Sequence, residues 1–198
     1  MDNPGPFNLF YKDLSFWVLL FSNGVTIFYA LAETWSLLTL MVIYWVQSVI
    51  IGGFNVGRIL SLQEFSTEGF TMNDQPVPPT GETKRQVATF FSLHYGFFHF
   101  IYGVFLATQA GYVGIQYVAV GSVIFLVDHF FSFKYNRERD RKKIQNIGRL
   151  MFFPYARILP MHLVIIAFGV ISSGTLPLVV FLALKTLADL VMHAVEHM

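Results

Sequence analysis

What most constrains this chain is a series of apolar segments, each long enough to cross a bilayer. They run roughly over 12–32, 36–60, 87–108, 112–133, 150–172 and 175–197, each near the roughly 20 residues that a spanning helix needs. Hydrocarbon offers no hydrogen-bonding partner, so backbone groups must pair within each segment, and helices are expected. The 198 residues are 55% hydrophobic and only 13% charged, whereas an ordinary soluble domain carries about 25% charged residues. A soluble fold of this size has too little interior to hide that much apolar surface. The expected fold class is therefore all-α: a polytopic membrane helical bundle with six transmembrane helices, residues 1–198 forming a single membrane domain.

The breaks between segments have local causes. Glu33-Thr34-Trp35, Gln109-Ala110-Gly111 and Ser172-Ser173-Gly174 provide short turns. The stretch 63–86 is polar and holds Pro76, Pro78, Pro79 and Gly81, so a cytoplasmic loop is expected there. Lys134 to Arg149 is dense in charge, giving a basic cytoplasmic loop at 134–149. Lys and Arg are absent from the loops after spans one, three and five, while Lys84, Arg85 and the 134–149 run supply the others. Positive charge stays on the cytoplasmic side, so both termini are expected in the cytoplasm and the protein in the cell membrane, multi-pass. Trp17, Trp35, Tyr112, Tyr135 and Tyr155 lie near span ends, as an aromatic belt would. The basic run reads either as a solvated loop or as a patch for anionic lipid headgroups, the latter weakened by Glu138 and Asp140. Because these charges set topology, nucleic acid is not an expected partner; membrane lipids are, and a homo-oligomer is compatible with the pattern. The opening MDNPGPFNLF lacks a basic stretch and a small-residue cleavage site, so no cleaved signal peptide is expected.

Ionisable residues inside spans are costly and usually functional. All six histidines, His94, His99, His129, His162, His193 and His197, fall in or at the ends of spans, with Asp128, Lys185, Asp189 and Glu196. At about 1.5 Å rise per residue, His94, His99, Asp128, His129, His162, Asp189 and His193 all lie in the cytoplasmic half, about 6–18 Å deep. Asp189, His193 and His197 recur at i, i+4, i+8 and share one face, and Lys185 stands at i, i+4 to Asp189. His94 and His99 are about 140° apart on their helix, whereas Tyr95 and His99 share a face. Pro160, beside His162, frees a carbonyl near residue 156 and can kink the fifth span. In the second span, Gln47, Asn55 and Arg58 are candidates to line the same cavity, Arg58 equally well by snorkelling, and Gly53 and Gly57 give a G-x-x-x-G spacing for a close helix contact.

With no cysteine in the chain, a metal must be held by nitrogen and oxygen. The expected ligands are His94, His129, His162, Asp189 and His193, with zinc first and iron or manganese as alternatives. Asp128 or Glu196 would be the general base. The substrate would then be a lipid or a membrane-embedded amide or ester, cleaved by a metal-dependent hydrolase. The alternatives are a metal-ion or proton transporter, and a haem-binding membrane protein with axial histidines.

Tyr44-Trp45 with Gln47-Ser48-Val49-Ile50-Ile51-Gly52, His94-Tyr95-Gly96-Phe97-Phe98-His99, and Pro154-Tyr155-Ala-Arg157-Ile-Leu-Pro160-Met-His162 resemble an uncharacterised prokaryotic family of integral membrane proteins, domain of unknown function 6498. That resemblance implies a multi-spanning protein and no activity. A fainter likeness is to the ceramidase-like membrane hydrolases, which combine a His-x-x-x-His near the last span with a further His, an Asp and a Ser. His193-x-x-x-His197 fits that pattern, with Asp128 and His129, or His94, and Ser48 as the earlier groups.

Overall fold

The computed structural model of the chain describes residues 17, 20, 21, 24, 27, 28, 30–141, 144–160, 162–163 and 175–197, and side chains in the last helix only as far as Leu190. Two compact units emerge: Leu38–Tyr155, and Met1–Leu37 together with Ala156–Met198.

The first unit is built on three long helices, α1 (Leu37–Ser61), α2 (Gly81–Thr108) and α3 (Ile115–Asp140). Among the described residues, α1, α2 and the Ile115–Lys134 part of α3 are long and apolar enough to cross a membrane. Helix α1 lies within a residue of the expected span. Helix α2 starts six residues before its expected span, so the loop expected over 63–86 ends at Thr80. Thr80 caps the helix by accepting from the Thr83 N–H at 3.2 Å, and Glu82 complements the first turn. Helix α3 continues through Asp140, so the first half of the expected 134–149 loop is helical. Its Lys, Arg and Glu residues are good helix formers that water does not disfavour.

The loop after α1 is not wholly irregular. Among the described residues, four two-residue strands qualify the all-α expectation: β1 (Phe65–Ser66), β2 (Thr71–Met72), β3 (Gln75–Pro76) and β4 (Gln145–Asn146). Strands β2 and β3 form an antiparallel hairpin. Its turn residues Asn73 and Asp74 both take positive φ, 51° and 60°, the conformation a two-residue hairpin turn requires. Strand β1 pairs in parallel with β4, Phe65 opposite Gln145.

Helix α4 (Ile147–Phe152) opens on Asn146, whose Oδ1 accepts from the Arg149 N–H at 3.0 Å. It gives way at once to a 3-10 turn, Phe153–Arg157, near the start of the fifth span expected from 150 and ahead of the kink expected at Pro160. Pro154 has no N–H to offer the Leu150 carbonyl one turn back. Asn55 Nδ2 from α1 fills that acceptor at 3.0 Å. The expected cavity-lining role of Asn55 thus gives way to a structural one.

Two sets of contacts locate α2 and α3 around α1. Trp45 Nε1 donates to the His99 carbonyl at 2.8 Å, Tyr95 OH donates to the Ser48 carbonyl at 3.0 Å, and Lys84 Nζ donates to the Leu62 carbonyl at 2.7 Å. As positions rise on α1 they fall on α2, so this pair is antiparallel. Thr39 meets Gly114, Phe54 meets Phe133 at 5.6 Å between ring centroids, and Arg58 meets Asp140. There the numbers rise together, so α1 and α3 are parallel. The two contact surfaces of α1 are about half a turn apart at 100° per residue, which sandwiches α1.

The ends are tied by charge. Arg58 Nε and Nη2 donate to the two Asp140 oxygens at 2.6 and 2.8 Å, with the Asp140 side chain 4% exposed. Arg58 is therefore a buried bidentate partner rather than a snorkelling cation. The close helix contact also differs from the expected one. A Cβ at Gly52 would come within 2.5 Å of the Tyr95 ring, whereas Gly53 faces open space and Gly57 is in ordinary contact with Phe133.

The outer surfaces are inverted relative to a soluble protein. On α2 the buried positions Val87, Phe91, Tyr95, His99, Tyr102 and Leu106 form one face. Phe90, Leu93, Phe97, Phe100 and Val104 form the exposed one. On α3, Val120, Val123, Ile124, Val127 and Phe131 are exposed. Apolar faces this extensive are stable in lipid and aggregate in water.

In the second unit, α5 (Thr175–His197) buries Leu178, Phe181 and Leu182 at helical spacing. Lys185 Nζ meets Asp189 Oδ2 at 2.6 Å, as their i, i+4 spacing leads one to expect.

Gly52→Ala should force the buried Tyr95 ring off its seat and lower stability by about 1–3 kcal/mol, read as a depressed thermal midpoint in detergent. Gly53→Ala should leave the midpoint at the wild-type value. Equal midpoints for both variants would refute the close contact.

Candidate functional site

The polar and aromatic centre of the first unit is a column on the inner face of α2. Phe91, Tyr95 and His99 follow one another at i, i+4, i+8, so their rings stack, with centroids 4.8 Å and 4.1 Å apart. Tyr155 arrives from the 3-10 turn and meets Phe91 and Tyr95 edge-on at 5.8 and 5.4 Å. Its hydroxyl reaches His94 Nδ1 at 2.8 Å.

The three described histidines of this unit differ in what their rings can do. His99 is buried at 5% exposure. Its Nδ1 lies 2.8 Å from the Tyr95 carbonyl; a carbonyl only accepts, so Nδ1 carries the proton and Nε2 keeps its lone pair. His129 is held the same way by the Phe125 carbonyl at 3.2 Å and stacks on the Phe125 ring at 4.0 Å. His94 is exposed, stacked on Phe90 at 5.2 Å and edge-on to Phe98 at 5.1 Å. Its hydroxyl partner donates or accepts, so Tyr155 permits either tautomer.

The expected metal ligands do not assemble within this unit. His94 and His129 ride on helices that pack against opposite sides of α1. Asp128 is 76% exposed and its Oδ2 lies 3.6 Å from His129 Nδ1, beyond hydrogen-bonding distance. His162 and Asp189 belong to the other unit, where Asp189 is paired with Lys185. The His193 and Glu196 side chains, and that of His197, lie outside the described residues. Among the described residues no group of three His, Asp or Glu side chains is placed to hold a metal. The residue that sequence reasoning missed is Tyr155, read as part of an aromatic belt. The only signal for its role was Pro154 immediately before it.

The sequence model of one family matches residues 7–198, nearly the whole chain. The chain belongs to DUF6498, a family of unknown function. No curated protein and no solved structure matches it. Nothing supports the likeness to ceramidase-like hydrolases. DUF6498 membership carries no activity with it, so the functional reading rests on the geometry above.

Proposed function

We propose that this DUF6498 protein is a multi-pass protein of the cell membrane with six spans and both termini in the cytoplasm. We further propose that it acts on a lipid or membrane-embedded ester or amide presented at His94. One observation carries the second statement. An imidazole sits exposed on the shoulder of a helix long and apolar enough to span a bilayer, and a tyrosine hydroxyl holds its Nδ1. A polar ring at such a surface is costly unless it is used. With Nδ1–H donating to Tyr155, Nε2 is a base that takes a proton from water as it adds to a carbonyl. The same atom then returns the proton to the leaving oxygen or nitrogen.

A second reading keeps the metal, zinc before iron or manganese, with His162, Asp189, His193 and either His94 or His129, which α1 separates, as its candidate ligands. It is favoured by the Nδ1–H to carbonyl bond of His129, since ligating histidines are commonly oriented this way.

The chain has no native cysteine, so single introduced thiols report topology directly. Glu68→Cys should react with an impermeant maleimide only from the cytoplasmic side, and Ala110→Cys only from outside. Labelling of both from one side would sink the six-span arrangement. Proteoliposomes of total membrane lipid, incubated with the protein, should form a lipid product by mass spectrometry that His94→Phe does not form. Identical lipid profiles would exclude the proposed turnover. Elemental mass spectrometry of untagged protein should find about one zinc, iron or manganese per chain if the second reading holds, lost in His193→Ala. Protein never exposed to chelator that contains no stoichiometric metal would eliminate that reading.

A further inference from the structure

We propose that the outer face of α2 binds an anionic phospholipid, its headgroup at Arg85 and one acyl chain laid along the helix. This rests on α2 crossing the membrane, as in the reading above, and is independent of any chemistry at His94. An open groove of about 540 Å³ is lined by Glu82, Arg85, Gln86, Thr89, Phe90 and Leu93. Its lining changes character along the helix, polar in the first turns and apolar beyond. Lys84 is occupied with the Leu62 carbonyl. Arg85 is exposed and makes no hydrogen bond or ion pair among the described residues. Glu82, the one acid of the groove, accepts from Gln86 Nε2 at 3.3 Å. Arg85, the one cation of the groove, thus stands unpaired beside the positive end of a helix, while the one carboxylate is engaged by Gln86, and this arrangement favours a phosphate.

The apolar continuation fits the rest of a lipid. Leu93, Phe97 and Phe100 are 70%, 60% and 66% exposed and follow the groove at helical spacing. From Phe90 to Phe100 the helix rises about 15 Å, half of the roughly 30 Å hydrocarbon core. That is the depth of one leaflet. A headgroup at Arg85 thus leaves an acyl chain lying on the exposed stripe.

The test uses the full chain in nanodiscs of equimolar phosphatidylglycerol and phosphatidylcholine, with lipid retained on release measured by native mass spectrometry. Retention should favour phosphatidylglycerol by about fivefold, the size expected for one basic residue at a membrane surface. Arg85→Gln should abolish the preference with an unchanged thermal midpoint, and Arg85→Lys should keep part of it. Inorganic phosphate should not displace the lipid. Equal retention of the two lipids, or an unaltered preference in Arg85→Gln, would overturn the site. Displacement by inorganic phosphate would do so too, marking a free-anion site instead. All these readouts are of binding, so failure of the lipid-turnover experiment leaves them unaffected.

Discussion

Helix α1 is packed on two opposite sides at once, and the placement of the polar groups in its unit follows from that sandwich. One side is built for close approach: without a side chain at Gly52, the Tyr95 ring seats against the α1 backbone and its hydroxyl finds the Ser48 carbonyl. Tyr95 in turn carries the stacked column that contains His99. The other side receives Phe133 and the His129 ring near Phe54. Groups on α2 and α3 are thereby kept apart by the thickness of a helix.

The loop end of the unit is organised by satisfaction of polar groups rather than by apolar burial. Asn55 repairs the acceptor that Pro154 leaves open. Lys84 takes the Leu62 carbonyl just past the end of α1. Asn146 caps α4 with its oxygen and binds the Glu68 carbonyl with its nitrogen. The Arg58–Asp140 pair closes α1 onto α3. A pair this buried adds little net stability against an apolar substitute, because desolvation offsets its attraction. Its geometric demand is strict, since only one register of α1 against α3 brings a fork and a carboxylate together. The outcome is a firmly bonded collar at one end and apolar surface along the helices, the division that a water–lipid boundary imposes.

Much of this was legible in the residues. The bounds of α1 followed from the length of its apolar run, and same-helix neighbours such as Tyr95 with His99 and Lys185 with Asp189 followed from spacing, whereas the start of α2 at its Thr80 cap did not. The missed features involve partners distant in sequence. Arg58 looked like a snorkelling cation because Asp140 lay inside an expected loop. Gly53 and Gly57 had the familiar spacing, yet Gly52 makes the contact. Tyr155 meets His94 from a 3-10 turn that the expected fifth span did not include.

By itself, the sequence determined the apolar runs from which α1, α2 and α3 are built and the spacing of histidines and carboxylates along them, because rise and period are properties of the helix alone. The direction each helix turns that residue was decided by tertiary packing, because azimuth depends on which ridge of a neighbour fits which groove. His94 and His129 face different surroundings for that reason. The expected depths put the candidate ligands in one layer, and only packing decided that α1 stands between His94 and His129.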